Sequence, residues 1–104
     1  MYKEVLEENQ VTQTPEFTLS ILTYEVGKLH QLRIYKERFG KTGFIGDEKA
    51  ELGDVITMAK LYAEQRGLDP AKLEVEGLER FRTRIAEVRQ KQLEERYGDA
   101  PEKR

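Results

Sequence analysis

Five charged residues recur at intervals of three: Glu25 and Lys28, then Glu48, Glu51 and Asp54. Residues three apart on a helix share a face, so each set presents its groups in one direction. The surrounding apolar residues say which direction that is. At about 100° per residue, Phe17, Ile21, Tyr24, Leu32, Tyr35 and Phe39 form one stripe, widened by Leu22 and Leu29. Glu25 falls between Leu29 and Leu32, and Lys28 falls beside Ile21, so both lie inside the stripe. His30, Arg33 and Glu37 point away from it. In the second set the stripe is Leu52, Val55, Met58, Ala59, Tyr62 and Ala63. Glu48 lies at its centre, Glu51 between Met58 and Tyr62, and Asp54 at its edge beside Leu61, with Lys49, Lys60 and Glu64 on the outer face. Four acids therefore head for one interior, where unpaired carboxylates would take up protons or destabilise the fold. Two arrangements resolve the conflict. A divalent cation held by Asp and Glu oxygens alone suits Mg²⁺ or Mn²⁺ and not zinc. Alternatively, Lys28 and an arginine of the last helix neutralise the acids in a structural ion-pair network. Periodicity weighs the two equally.

The elements that must position these residues are punctuated by few helix breakers. Thr14-Pro15-Glu16 offers an N-cap, a proline at the first helical position and an acid in the first turn. Periodicity then runs to Phe39, and Gly40 stands where a helix-ending glycine belongs. Asp47 can cap a second helix from Glu48 to Arg66, closed by Gly67. Asp69-Pro70 opens a third helix, which ends near Tyr97 and Gly98. Residues 2–10 suit a short extra helix. No segment alternates with period two, so no sheet is expected. The predicted fold is all-α, a bundle of three long helices plus a short N-terminal one. A single domain spans residues 1–98, followed by a polar tail over residues 99–104.

Composition bounds the function. A chain of 104 residues makes one domain, and with 37% charged residues and a mean hydropathy of −0.75 it contains no membrane-spanning run. The first residues lack the basic-then-apolar pattern of a secretory signal, which reads as a cytoplasmic protein. With no cysteine, thiolate zinc sites and cysteine nucleophiles are excluded, and His30 alone cannot build a histidine metal cluster. The net charge of −2 divides into −5 over residues 1–79 and +3 over residues 80–104. The basic excess is interleaved with Glu87, Glu94 and Glu95, so duplex nucleic-acid binding is not expected. So few helices make a thin monomeric core, which favours helix-to-helix assembly of several copies.

The stretch Glu25-Val26-Gly27-Lys28-Leu29, followed by Glu51-Leu52-Gly53-Asp54-Val55-Ile56, resembles the MazG-like, all-α nucleoside-triphosphate pyrophosphohydrolases. That family carries an E-x-x-E pair on one helix and an E-x-x-D pair on the next. Here 22 residues separate Lys28 from Glu51, a gap that fits the family, and Ala63-Glu64-Gln65-Arg66-Gly67-Leu68-Asp69 resembles its turn into the next helix. The resemblance covers roughly residues 15–85. It implies a MazG-like fold, a homodimer or homotetramer, Mg²⁺ (or Mn²⁺) as cofactor, and hydrolysis of a nucleoside triphosphate to the monophosphate and pyrophosphate. It assigns Glu25, Glu51 and Asp54 to the metal, and the inward position expected of Glu48 adds a fourth ligand. Glu25 and Glu51 are then the carboxylates available to orient or deprotonate the attacking water.

Two departures stand out. Lys28 occupies the place of the family's second glutamate, and within Gly77–Arg84 only Arg84 matches the final-helix motif. Lys28 and Arg84 are then phosphate contacts, unless the lysine weakens the metal site; at ~5 Å and an effective dielectric of ~20, each unit-charge pair is worth about 3 kcal/mol before screening. The competing reading is a catalytically impaired MazG-fold protein that binds nucleotide or serves as an oligomeric interaction module. A third is a small helical adaptor built on a charge network. Gly40-Lys41-Thr42 has the ending of a phosphate-binding loop, but Tyr35 stands where its first glycine belongs and a helix precedes it. It reads better as a connection from which Lys41 could touch a substrate phosphate. Tyr24, Tyr35 and Tyr62 are expected in the core.

Overall fold

The computed structural model describes residues 1–40 and 48–98. Among these the order is α1 (Lys3–Glu8), α2 (Pro15–Phe39), α3 (Glu48–Gln65) and α4 (Pro70–Leu93), followed by a π-helical turn over Glu94–Gly98. No strand occurs among the described residues. No described helix is long and apolar enough to cross a membrane. Asp47, Lys41, Thr42 and the tail 99–104 lie outside the described residues. The chain divides into two compact units, Met1–Pro70 and Ala71–Arg104.

In the first unit, α2 begins where its sequence says. Thr14 is extended, its hydroxyl accepts the Phe17 N–H at 3.1 Å, and Pro15 follows at the first helical position. It ends at Gly40, whose φ of 69° is left-handed and whose N–H reaches the Lys36 carbonyl. Helix α3 closes through a Schellman motif: the Leu68 N–H reaches the Ala63 carbonyl at 2.8 Å and the Gly67 N–H reaches Glu64 at 3.0 Å, with Gly67 at φ 75°. Helix α1 closes the same way, through Val11 to Leu6 and Gln10 to Glu7. Gln10, however, holds its left-handed φ of 56° with a side chain attached.

Helices α2 and α3 pack against each other as an antiparallel pair, and α1 lies on α3. The direction is fixed at both ends, by Gln65 Nε2 donating to the Gln13 carbonyl at 2.8 Å and by Lys28 reaching Glu51. Among the described side chains of α2 the buried ones are Thr18, Glu25 and Leu32, spaced by seven. From α3 come Glu51, Leu61 and Ala63. This differs from the expected stripes. Phe17 is 59% exposed and Tyr24 65%, while Leu52 and Ala59 are also exposed. The line of contact lies to one side of the widest apolar arc and runs through polar residues. Thr18 is fully buried because its hydroxyl is satisfied twice: it accepts from Gln13 Nε2 at 2.8 Å and donates to the Thr14 carbonyl at 3.2 Å.

The outer face expected for Glu64 is also corrected. Its carboxylate is largely covered by α1 and accepts the N–H groups of Tyr2 and Lys3, each at 2.8 Å. Those are unpaired donors at the start of a helix, where a carboxylate is favoured by both hydrogen bonding and the helix dipole. In the second unit, α4 has no buried residue, and Leu78, Phe81, Ile85 and Val88 form an exposed apolar line spaced three, four and three. Glu79 and Arg82 pair along its surface at 3.7 Å.

Candidate acidic site between α2 and α3

The capped length of α2 puts Glu25 and Lys28 near its middle, one turn apart. Glu51 sits in the first turn of α3, where the dipole favours a carboxylate, and Asp54 follows one turn later. Packing the two helices brings Glu25, Glu51 and Asp54 together: one oxygen from each lies within 4.8 Å of the others. Glu25 and Glu51 are 7% and 6% exposed, whereas Asp54 opens to solvent. Lys28 closes the group. Its Nζ stands 2.8 Å from Glu51 Oε1 and 3.7 Å from Glu25 Oε1, with the Tyr24 ring centroid at 5.3 Å. Tyr24 is therefore an exposed platform for the ammonium rather than a core residue.

The electrostatics follow from this crowding. Burial pushes the Glu25 carboxyl above its ordinary value, helped by a shared hydrogen bond with Asp54 and by the charge of Glu51; Lys28 opposes the rise. The hydrogen bond to Glu51 raises the Lys28 ammonium above its ordinary value, against a smaller opposing effect of burial. One atom is left over. Glu51 Oε2 is buried and has no hydrogen-bond partner in the protein. A carboxylate oxygen without a donor is costly in such a place, so the donor set has room for one more cationic ligand. The chemistry of the set, three carboxylates and no nitrogen or sulfur, fits a hard divalent cation. Oxygens around Mg²⁺ at ~2.1 Å span at most about 4.2 Å, so only a small inward movement of side chains would close the set on that ion.

The other residues singled out from sequence are placed differently. Glu48 is the first residue of α3 and is exposed, outside the group formed by Glu25, Glu51 and Asp54. Glu25 and Lys28 meet α3 at the level of Glu51 and Asp54, and Glu48 lies one turn short of that level, which helical-wheel angles alone do not register. Arg84 is an exposed residue of α4, in the second unit, and His30 is exposed on α2. Lys41 lies outside the described residues. Sequence reasoning missed Thr18, Gln13, Gln65 and Glu64, the polar residues that tie α1 and the turn before α2 to the end of α3. The signal for Thr18 was present: it precedes Glu25 by seven residues, as Glu25 precedes Leu32.

The chain matches no protein-family model, no curated protein and no solved structure.

Proposed function

We propose that Glu25, Glu51 and Asp54 hold a divalent cation, Mg²⁺ or Mn²⁺, and that the protein is a MazG-like nucleoside-triphosphate pyrophosphohydrolase. The observation that carries the reading is the buried, partnerless Oε2 of Glu51 inside a convergent set of carboxylates. The reaction class comes from the resemblance of the two helical motifs around those same residues. A bound cation would supply charge neutralisation for the phosphates of the substrate. The protein's own part is to orient water. Glu25 and Glu51 are the carboxylates available to it, and a carboxyl raised by burial, as Glu25 is, accepts a proton more readily than an exposed one. Lys28, whose ammonium lies 5.3 Å from the Tyr24 ring centroid, adds positive charge beside the phosphates.

Assembly into a homodimer or homotetramer belongs to the same proposal. Among the described residues only Leu32, Leu61 and Ala63 are buried apolar side chains, while Leu52, Ile56, Phe81 and Ile85 are about half exposed. So small a core favours covering those faces with further copies.

A second reading rests on the Lys28–Glu51 contact. An ammonium at 2.8 Å already compensates one acid, which favours a catalytically impaired relative that binds nucleotide or only assembles. Two measurements decide between them. Nucleoside triphosphates are screened for pyrophosphate release with Mg²⁺ and Mn²⁺, and Mn²⁺ binding is titrated in the wild type and Asp54→Asn. Hydrolysis and binding, both lost in Asp54→Asn with helicity retained, support the enzyme. Binding without turnover supports the impaired relative, and equal binding by both chains removes the metal site altogether.

A further inference from the structure

We infer that the Lys28 ammonium is a resident cation of the acidic site, occupying the position between Glu25 and Glu51, so that the chain binds one divalent ion where an all-acid site would bind two. The inference rests on the metal reading above and specifies its stoichiometry. The ammonium is held from three sides: Glu51 Oε1 at 2.8 Å, Glu25 Oε1 at 3.7 Å and the Tyr24 ring at 5.3 Å. It is anchored on the same helix as Glu25, one turn away, so the ion pair costs little loop or backbone ordering. Glu51 Oε1 is used up by this contact, and the oxygen left without a partner is Glu51 Oε2.

Charge counting points the same way. Three ionised carboxylates and one ammonium leave two negative charges, which one divalent cation cancels. A second divalent cation would leave the half-buried site with two positive charges, repelling both the ion and the ammonium within a few ångströms. Asp54, the exposed member of the set, is the entry ligand for the single ion, and Glu51 Oε2 its buried one.

The test is a Mn²⁺ titration by calorimetry, with circular dichroism as the folding control, on wild type, Lys28→Met and Lys28→Glu. Methionine keeps the length of the stem and removes the charge. The wild type should bind one ion per chain, Lys28→Met should bind Mn²⁺ at least about tenfold more tightly, and Lys28→Glu should take two ions. Two ions on the wild type, or an unchanged affinity in Lys28→Met, would overturn the inference while leaving the metal site standing. Absence of binding in wild type and both variants would remove the metal site and the inference together. Should Lys28→Glu lose its helicity, Lys28→Met decides alone.

Discussion

The Lys28 ammonium on α2 crosses to the Glu51 carboxylate on α3 at 2.8 Å, joining the helices through a charged pair instead of an apolar contact. Removing one partner of such a pair strands the other's charge in a poorly hydrated place. Lys28→Met should therefore melt at a lower temperature than wild type without metal and recover most of the loss with millimolar Mn²⁺. Thermal melts followed by circular dichroism check this. A variant that melts like the wild type in both conditions would mean that the pair contributes nothing.

Glu25 gives the pH dependence a definite sign. Its carboxyl is raised above the ordinary glutamate value by burial, so the folded chain holds that proton to higher pH than the unfolded chain does. Its contribution to stability is complete below the unfolded value and is lost as pH rises through the folded one. Glu25→Gln removes this dependence. As pH rises above the ordinary glutamate value, the melting temperature of the metal-free wild type should fall relative to that of Glu25→Gln. A constant difference would contradict the assignment. Glu64 acts in the opposite sense, since the Lys3 N–H and other donors hold its carboxyl low, and its contribution is lost as pH falls.

Thr18 tests the polar seam without touching the acidic site. Thr18→Val keeps the shape but deprives the Gln13 side chain of its acceptor, and should cost about 1–2 kcal/mol in urea unfolding. Mn²⁺ affinity should stay within twofold of wild type, because the lost contact lies at the far end of the α2–α3 pair. A change in affinity with no change in stability would reverse the roles given to the two ends.

Gln10 is the place where the chain can be improved. Its φ of 56° costs a residue with a side chain more than it costs glycine. Gln10→Gly should raise the stability of the first unit by about 0.5–1 kcal/mol, part of the gain being offset by the added freedom of the unfolded chain. Chemical denaturation measures it, and a loss of stability would show that the Gln10 side chain matters more than its backbone.

The helices were legible because their ends are chemically marked. Thr14, Pro15, Gly40 and Gly67 act through local backbone geometry, and a local pattern is what a sequence displays. The inward positions of Glu25, Lys28 and Glu51 were legible too, since three-residue spacing survives any small rotation of the helix. The seam itself was not. Counting apolar residues put Phe17 and Tyr24 in the stripe beside Leu32 and left Thr18 out, whereas the helix packs through Thr18, Glu25 and Leu32, with Thr18 buried because the Gln13 side chain and the Thr14 carbonyl satisfy its hydroxyl. Glu64 looked like an outward acid because its partners are backbone N–H groups some sixty residues earlier, and no local pattern announces them.

That last contact also orders the events of folding. Tyr2 and Lys3 cannot give their N–H groups to Glu64 until α2 and α3 have paired, because the intervening chain must first double back. A six-residue helix with no buried side chain then adds little to hold it there. Helix α1 is a latch fastened last and released first, and its amides should exchange with solvent deuterium well before those around Leu61.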